Sequence, residues 1–247
     1  ALWSYLADLN LGFSKFISLG NPIGLGFPEV LDYLRKDRQT KSIILYIEKI
    51  TNGKEFIRIA KKCKKPIYAI KAGKTKEGSK AAISHTGSLA TDYEIYKGMF
   101  KQTNIILCNS IEEALTKANG KSSTTNKLKL NINTNKTLTI ITNAGGAGAL
   151  ASDYLTELGI KTKMIDILGT ATSYEYMKEL NKHKKENILL IVTPQSMTDI
   201  NNITQVIIDF KKINKKLIVC LLGNKSVKQA TRNLRNNNIK VTNTLTF

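Results

Sequence analysis

Short apolar runs alternate along this chain with longer stretches in which apolar residues recur every three or four positions. A strand covered on both faces reads as a continuous apolar run, whereas its crossover helix carries a single apolar stripe, so the alternation predicts βα units around a parallel sheet. In the first half, strands are predicted at Ser14–Ser18, Ile43–Ile47, Ile67–Ile70 and Asn104–Cys108, and helices at Pro28–Lys36, Gly53–Cys63, Thr86–Lys101 and Ile111–Asn119. The pattern stops over residues 120–136, a polar Ser/Thr/Asn/Lys-rich run without periodicity that reads as a linker. It resumes with strands at Thr137–Thr142, Thr162–Ile165, Ile188–Thr193, Leu217–Leu221 and Ile239–Val241, and helices at Gly146–Leu158, Ser173–Asn181, Ile200–Ile213 and Ser226–Asn236. Two consecutive open α/β domains are expected, residues 1–119 and 137–247, with functional groups at the carboxyl ends of the strands.

Composition narrows the setting. With 247 residues and 42% hydrophobic residues, the chain has enough material for one or two real cores. No apolar run approaches the roughly 20 residues of a membrane span, and Ala1–Asn10 lacks the basic start and cleavage site of a signal peptide. A soluble, cytoplasmic protein without a membrane partner is expected. Cys63, Cys108 and Cys220 are odd in number, far apart and set in apolar segments, which argues against a disulfide framework or a CxxC metal site and for reduced core thiols.

The formal charge is +19, from 38 Lys+Arg against 19 Asp+Glu. A nucleic-acid surface would need clustering and interleaved aromatics. Here the lysines are spread over every polar stretch and accompanied by asparagines such as Asn236, Asn237 and Asn238. A compositional drift over an ordinary fold is the simpler reading, and no nucleic-acid partner is expected; the same charge would attract small polyanions such as nucleotides.

Few residues carry obvious chemistry. His183 lies in the lysine-rich run His183-Lys184-Lys185 and is expected to be a solvated surface residue. His85 lies at the end of a Gly- and Lys-rich stretch, Lys71 to Ser88, that follows a buried-type strand and would deliver it just before a helix. That placement suits a phosphate-contacting or catalytic histidine beside a helix N-terminus; the alternative is that Ser84 or Thr86 simply caps the helix and His85 points at solvent. The run Thr142-Asn143-Ala144-Gly145-Gly146-Ala147-Gly148 again joins a strand to a helix start. It fails the dinucleotide fingerprint register, leaving either a tight βα turn or an anion-binding helix N-terminus. Glu48 ends the apolar strand Ser42–Ile47, where it could orient an imidazole or simply pair with a lysine. Phe100, Tyr154 and Tyr176 stand at helical spacing and read as core.

Several runs together resemble the ADP-forming acyl-CoA (acetyl-CoA) synthetases, distant relatives of succinyl-CoA synthetase. They are Gly12 to Asn21, Ile44-Leu-Tyr-Ile-Glu48, Lys71-Ala-Gly73, Ser84-His-Thr-Gly-Ser-Leu-Ala90, Thr142-Asn-Ala-Gly-Gly146 and Thr193-Pro-Gln-Ser-Met-Thr-Asp199. The resemblance implies two consecutive flavodoxin-like open parallel-sheet domains, succinyl-CoA synthetase-like. It implies that acyl-CoA, phosphate and ADP are converted to acid, CoA and ATP through a phosphohistidine on His85, oriented by Glu48. Helix N-termini at Thr86 and Gly87 and at Gly145 and Gly146 would then hold the phosphate, each dipole end contributing about 0.3–2 kcal/mol. Gly20, Asn21, Lys71 and Gly73 would lie in substrate-side loops, and no metal site is expected on the chain itself. CoA and ADP/ATP would be substrates, with Mg2+ entering with the nucleotide in an ATP-grasp domain. The family's ATP-grasp and N-terminal CoA-binding domains are not visible in these residues, so the chain is expected to be part of a larger hetero- or homo-oligomeric enzyme. The sequence departs from the family after Gly20-Asn21, where Pro22-Ile-Gly-Leu-Gly26 replaces a segment that usually carries an acidic residue. The alternative is a synthetase-like regulatory, ligand-sensing domain of a protein acyltransferase.

Overall fold

The computed structural model describes residues 12–20, 24–86, 92–120, 136–223 and 225–245, with Ser84, His85 and Thr86 described by their backbone alone. Two parallel sheets organise these residues, and they fall into two compact units.

The three-stranded unit comprises the described parts of 13–74 and 89–126. Its elements are α1 (Phe27–Lys36), β1 (Ile43–Ile47), α2 (Gly53–Lys62), β2 (Ile67–Lys71), α4 (Tyr93–Lys101), β3 (Ile105–Leu107) and α5 (Ile111–Ala118); α3 (Lys76–Thr86) interrupts it in chain order. The strands lie in the order β1-β2-β3, all parallel, with Ile43 opposite Ile67 and Ile67 opposite Ile105. Central β2 is buried at every position, as an apolar run flanked by two strands and covered by helices should be. Leu31, Phe56, Ile59, Tyr96 and Phe100 close over one face of this sheet together with Ile43, Leu45, Ile47 and Ile67. Helix starts follow cap chemistry: the Asn52 side chain accepts from Glu55 N–H at α2, Asp92 from Glu94 N–H at α4, and Ser110 from Glu113 N–H at α5.

The five-stranded unit holds α3 and the elements from residue 138 onward: β4 (Leu138–Thr142), α6 (Gly145–Glu157), β5 (Thr162–Asp166), α7 (Ser173–Lys182), β6 (Asn187–Val192), α8 (Ile200–Ile213), β7 (Leu217–Leu221), a 3-10 turn (Lys225–Val227), α9 (Lys228–Asn236) and β8 (Lys240–Thr242). Its strand order is β5-β4-β6-β7-β8, all parallel. Relative to chain order this is 2-1-3-4-5, the flavodoxin-like arrangement, whose topological switch point falls between β4 and β6. β4 and β7 are buried throughout, and Tyr176, Leu180, Ile203, Ile207 and Phe210 pack over the sheet.

Four expectations change. Ser14–Ser18 is not a strand: Phe16 and Ile17 are exposed, so the segment gains none of the burial that a ladder position provides, and it is tied down instead by an ion pair from Lys15 to Asp37 at 2.9 Å. Of the helix expected over Thr86–Lys101, Thr86 belongs to α3 and Tyr93–Lys101 is α4, residues 87–91 lying outside the described residues; α3 itself occupies residues that read as a loop. The reason is local: Thr75 accepts from Gly78 N–H with its hydroxyl at 3.0 Å, and the Lys, Glu and Ala residues that follow are good helix formers. Residues 75–86, assigned by chain order to the first domain, pack with the five-stranded unit, α3 lying against α6 and β5. Tyr154 is half-buried, while Phe100 and Tyr176 are core. Of the expected linker 120–136, only Gly120 and Lys136 are among the described residues.

Candidate functional site

The carboxyl edge of the five-stranded sheet opens at the switch point between β4 and β6. β4 ends at Thr142, and the next residue, Asn143, is 1% exposed. Its side chain continues the strand pairing where the two backbones diverge. The Nδ2 group donates to the Thr193 carbonyl at 2.8 Å, and Oδ1 accepts from the Thr193 N–H at 2.8 Å. The Gln195 side chain donates to the Asn143 carbonyl at 3.0 Å, and Gln195 also fills the space beside Gly169, where a Cβ would lie 2.2 Å from its Oε1. Three loops, after β4, β5 and β6, are thereby fastened together around one side chain.

Directly above this knot α6 begins at Gly145. Its N-cap, Ala144, offers no side-chain acceptor, and no acidic residue occupies its first turn. A helix start leaves its first N–H groups without intrahelical partners and carries partial positive charge. Gly145 is buried and Gly146 half-buried, so the backbone itself lines the edge. Gly148, one turn on, packs so closely to the sheet that a Cβ would meet Met164 Sδ at 2.4 Å and Thr142 Cγ2 at 2.9 Å. The sequence turn of glycines therefore has two physical consequences: a helix start without a side-chain cap, and close seating of α6 on β4 and β5.

His85 lies on α3. Its backbone is helical, within the described range Lys76–Thr86. The helix expected to begin at Thr86 is already under way there, since Thr86 lies within α3, and α4 begins at Tyr93 with Asp92 as its cap. Gly87 and Asn21 lie outside the described residues.

In the three-stranded unit, Glu48 follows β1 directly at its carboxyl end and is half-buried. Lys71, the last residue of β2, is 5% exposed; its ammonium donates to the Ala72 carbonyl and lies 4.8 Å from the centre of the Tyr96 ring. Tyr96 in turn accepts from Ile50 N–H at 2.9 Å, so Lys71 holds the loops after β1 and β2 in place. Gly73 turns the chain with φ +79°, and Gly20, exposed, adopts φ +57°.

His183 is not solvated. Its ring is 13% exposed and held between two carboxylates, Nδ1 at 2.9 Å from Glu186 and Nε2 at 3.2 Å from Glu179. Glu186 also accepts from the Thr139 hydroxyl, and these two hydrogen bonds, with Thr139 first, hold its carboxyl below the usual range. This constellation fastens the end of α7 to β4 at the amino edge of the sheet, away from the switch point.

Sequence reasoning named Asn143 and Gln195 only as parts of motifs, and it missed Thr75 and Asp153. Asp153 is a carboxylate within the small and apolar run of α6, 1% exposed, and its Oδ1 accepts from both the N–H and the hydroxyl of Thr75, at 2.8 and 2.9 Å. A lone acid in such a run was the available signal. Among the described residues there is no group of three or more His, Cys, Asp or Glu that could hold a metal ion, and no helix long and apolar enough to cross a membrane.

An open parallel sheet in 2-1-3-4-5 order, with a helix start lacking a side-chain cap at its switch point, defines a flavodoxin-like α/β class. Residues 1–119 match the family described as succinyl-CoA ligase like flavodoxin domain, and the chain is similar to several ADP-forming acetate–CoA ligases. The alpha subunit of acetate–CoA ligase [ADP-forming] II of Pyrococcus furiosus is 44% identical over 154 residues, 62% of this chain and 32% of its own length. Acetate–CoA ligase [ADP-forming] I of Archaeoglobus fulgidus is 34% identical over 257 residues, 93% of this chain and 36% of its own length. A solved structure of dinucleotide-forming acetyl-coenzyme A synthetase 1 from Ca. Korarchaeum cryptofilum, 28% identical, covers 99% of this chain and 58% of its own, at a TM-score of 0.47. The chain spans about a third of the length of the two ligases named first.

Proposed function

We propose that this chain is the CoA-ligase module of an ADP-forming acyl-CoA synthetase, working in the cytoplasm with an ATP-grasp domain or subunit and a CoA-binding domain supplied from outside residues 1–247. In the proposed reaction phosphate attacks the acyl thioester carbon, the C–S bond breaks, and CoA leaves with an acyl phosphate remaining. An imidazole nitrogen of His85 then attacks the phosphorus and the carboxylate leaves, forming phosphohistidine. The phosphoryl group passes to ADP in the ATP-grasp domain, where Mg2+ enters with the nucleotide. Glu48 orients the imidazole through its other nitrogen, and the open N-terminus of α6 at Gly145 and Gly146 holds the phosphate, with Thr86 and Gly87 flanking the histidine. Gly20, Asn21, Lys71 and Gly73 shape the loops on the substrate side, Lys71 by holding backbone rather than by meeting substrate.

The observation that carries this reading is the similarity to acetate–CoA ligase [ADP-forming] I across 93% of the chain, together with the intact Ser84-His85-Thr86-Gly87 run. The uncapped start of α6 at the switch point supports the phosphate role. The test is labelling of the chain by γ-labelled ATP with dialysed extract of the source cells as the donor of an ATP-grasp partner. Acid-labile, base-stable label is expected on the wild type and absent from His85→Ala. Glu48→Gln is expected to slow labelling by a smaller factor. No label on the wild type, with the partner demonstrably active, would refute the carrier reading in favour of a ligand-sensing domain.

A further inference from the structure

The helix that carries His85 is gripped at its start by a buried acid. Chain connectivity places α3 between β2 and α4, both elements of the three-stranded unit, yet its residues pack with the five-stranded unit. At the point where the chain enters that unit, Thr75 donates its N–H and its hydroxyl to the same oxygen, Oδ1 of Asp153, at 2.8 and 2.9 Å. The Thr75 hydroxyl then accepts from Gly78 N–H at 3.0 Å, and the Thr75 carbonyl accepts from Ser79 N–H at 2.7 Å. Asp153 thus grips the cap, and the cap starts the helix.

The fit is close on the other side as well. A Cβ at Gly78 would stand 2.0 Å from Asp153 Oδ1 and 2.5 Å from its Cγ, so only glycine allows α3 to lie this near the carboxylate. Asp153 is 1% exposed, and burying a carboxylate is costly unless it is hydrogen-bonded. Here the compensation comes from the start of α3, where N–H groups and the positive end of the helix dipole favour negative charge. The same contact that stabilises the acid therefore fixes the position and direction of α3. His85 lies ten residues beyond Thr75, about 15 Å along the axis of a helix rising about 1.5 Å per residue.

We propose that Asp153 is a positioning residue for His85: through Thr75 and Gly78 it anchors α3 against α6, the helix whose N-terminus is assigned to phosphate. The inference rests on the phosphohistidine reading of His85, and its anchoring part is measurable independently of it. The experiment combines amide hydrogen exchange on the full chain with the labelling assay above, for the wild type, Asp153→Ala, Asp153→Asn, Thr75→Val and Gly78→Ala.

Asp153→Ala is expected to speed exchange across 76–86 at least tenfold, with β4 and β6 changed less than threefold, and to slow labelling of His85 about tenfold. Asp153→Asn keeps an oxygen at Oδ1 for both Thr75 donors and is expected to restore exchange and labelling to within threefold of wild type. Thr75→Val, which alters the anchor from the surface side, and Gly78→Ala, which crowds it, should move both readings the same way as Asp153→Ala. Unchanged exchange over 76–86 in Asp153→Ala would overturn the proposal. So would equal acceleration in β4 and β6, which would mark Asp153 as a general core residue, or an asparagine variant as impaired as the alanine one. Loosening of α3 without slower labelling would sever the link to His85. A wild type that takes no label, with the exchange results as expected, would refute the phosphohistidine reading and leave Asp153 a purely structural anchor.

Discussion

Replacing Asn143 with alanine tests whether the switch point is held by one side chain. The substitution removes both hydrogen bonds to the Thr193 backbone and leaves its N–H and C=O without those partners. A buried polar group left unsatisfied costs about 1–3 kcal/mol, and Thr193 is only half-buried, so the lower part of that range applies to each group. The small void left in a position 1% exposed adds to this, for a total of about 2–4 kcal/mol. Since about 1.4 kcal/mol is tenfold, the slowest-exchanging amides of β4 and β6 should exchange roughly 30- to 1000-fold faster, measured by hydrogen exchange under conditions where opening is at equilibrium. Asn143→Asp should be at least as damaging near neutral pH, because it keeps the acceptor for Thr193 N–H but turns a second oxygen toward the Thr193 carbonyl. Asn237→Ala, which removes an exposed bond to the Asn233 carbonyl, is the control and should lie within about 0.5 kcal/mol of wild type. Acceleration of less than threefold in Asn143→Ala would refute the reasoning.

Two further predictions follow from packing and charge. Gly148→Ala should destabilise the five-stranded unit by about 1–3 kcal/mol because its Cβ would meet Met164 and Thr142, and adding Met164→Ala should recover part of that loss; chemical denaturation of the two variants decides it, and a neutral Gly148→Ala would contradict the close seating of α6. Asp37 is held at about 2 against a usual 3.8, first by the Thr40 hydroxyl and then by Lys15. A folded value below the unfolded one contributes stability that is present above about pH 4 and lost as the pH falls toward 2. Asp37→Asn should therefore flatten the acid limb of stability of the three-stranded unit across that window, and an acid titration of exchange in β1 and β2 with the same slope as wild type would remove Asp37 from the account.

How much of this was legible in the sequence depended on the range of the forces involved. Ile43–Ile47, Leu217–Leu221 and Ile200–Ile213 occupy the residues expected, because apolar runs and a 3.6-residue period are written locally and the sheet simply buries them. The helix start near Gly145 was likewise visible, since a strand running into glycines has few other continuations. Ser14–Ser18 had the composition of a strand but not the pairing, which is a property of neighbours rather than of the segment.

The candidate site divides in the same way. The identities of His85, Glu48, Gly145 and Gly146 were plain in the sequence, as was the resemblance from which roles are proposed for them. Their setting was not. A glycine at position 78 inside a lysine-rich run reads as a loop, and its real reason, the nearness of Asp153, lies 75 positions away in the chain. Asn143 meets Thr193 across 50 positions, and Asp153 meets Thr75 across 78. Local pattern determined the strands, the helices and the chemistry available; tertiary structure alone decided which unit holds α3 and how its cap is anchored. A buried carboxylate and its donors lower their free energy only when packing brings them together, and no segment read by itself contains that contact.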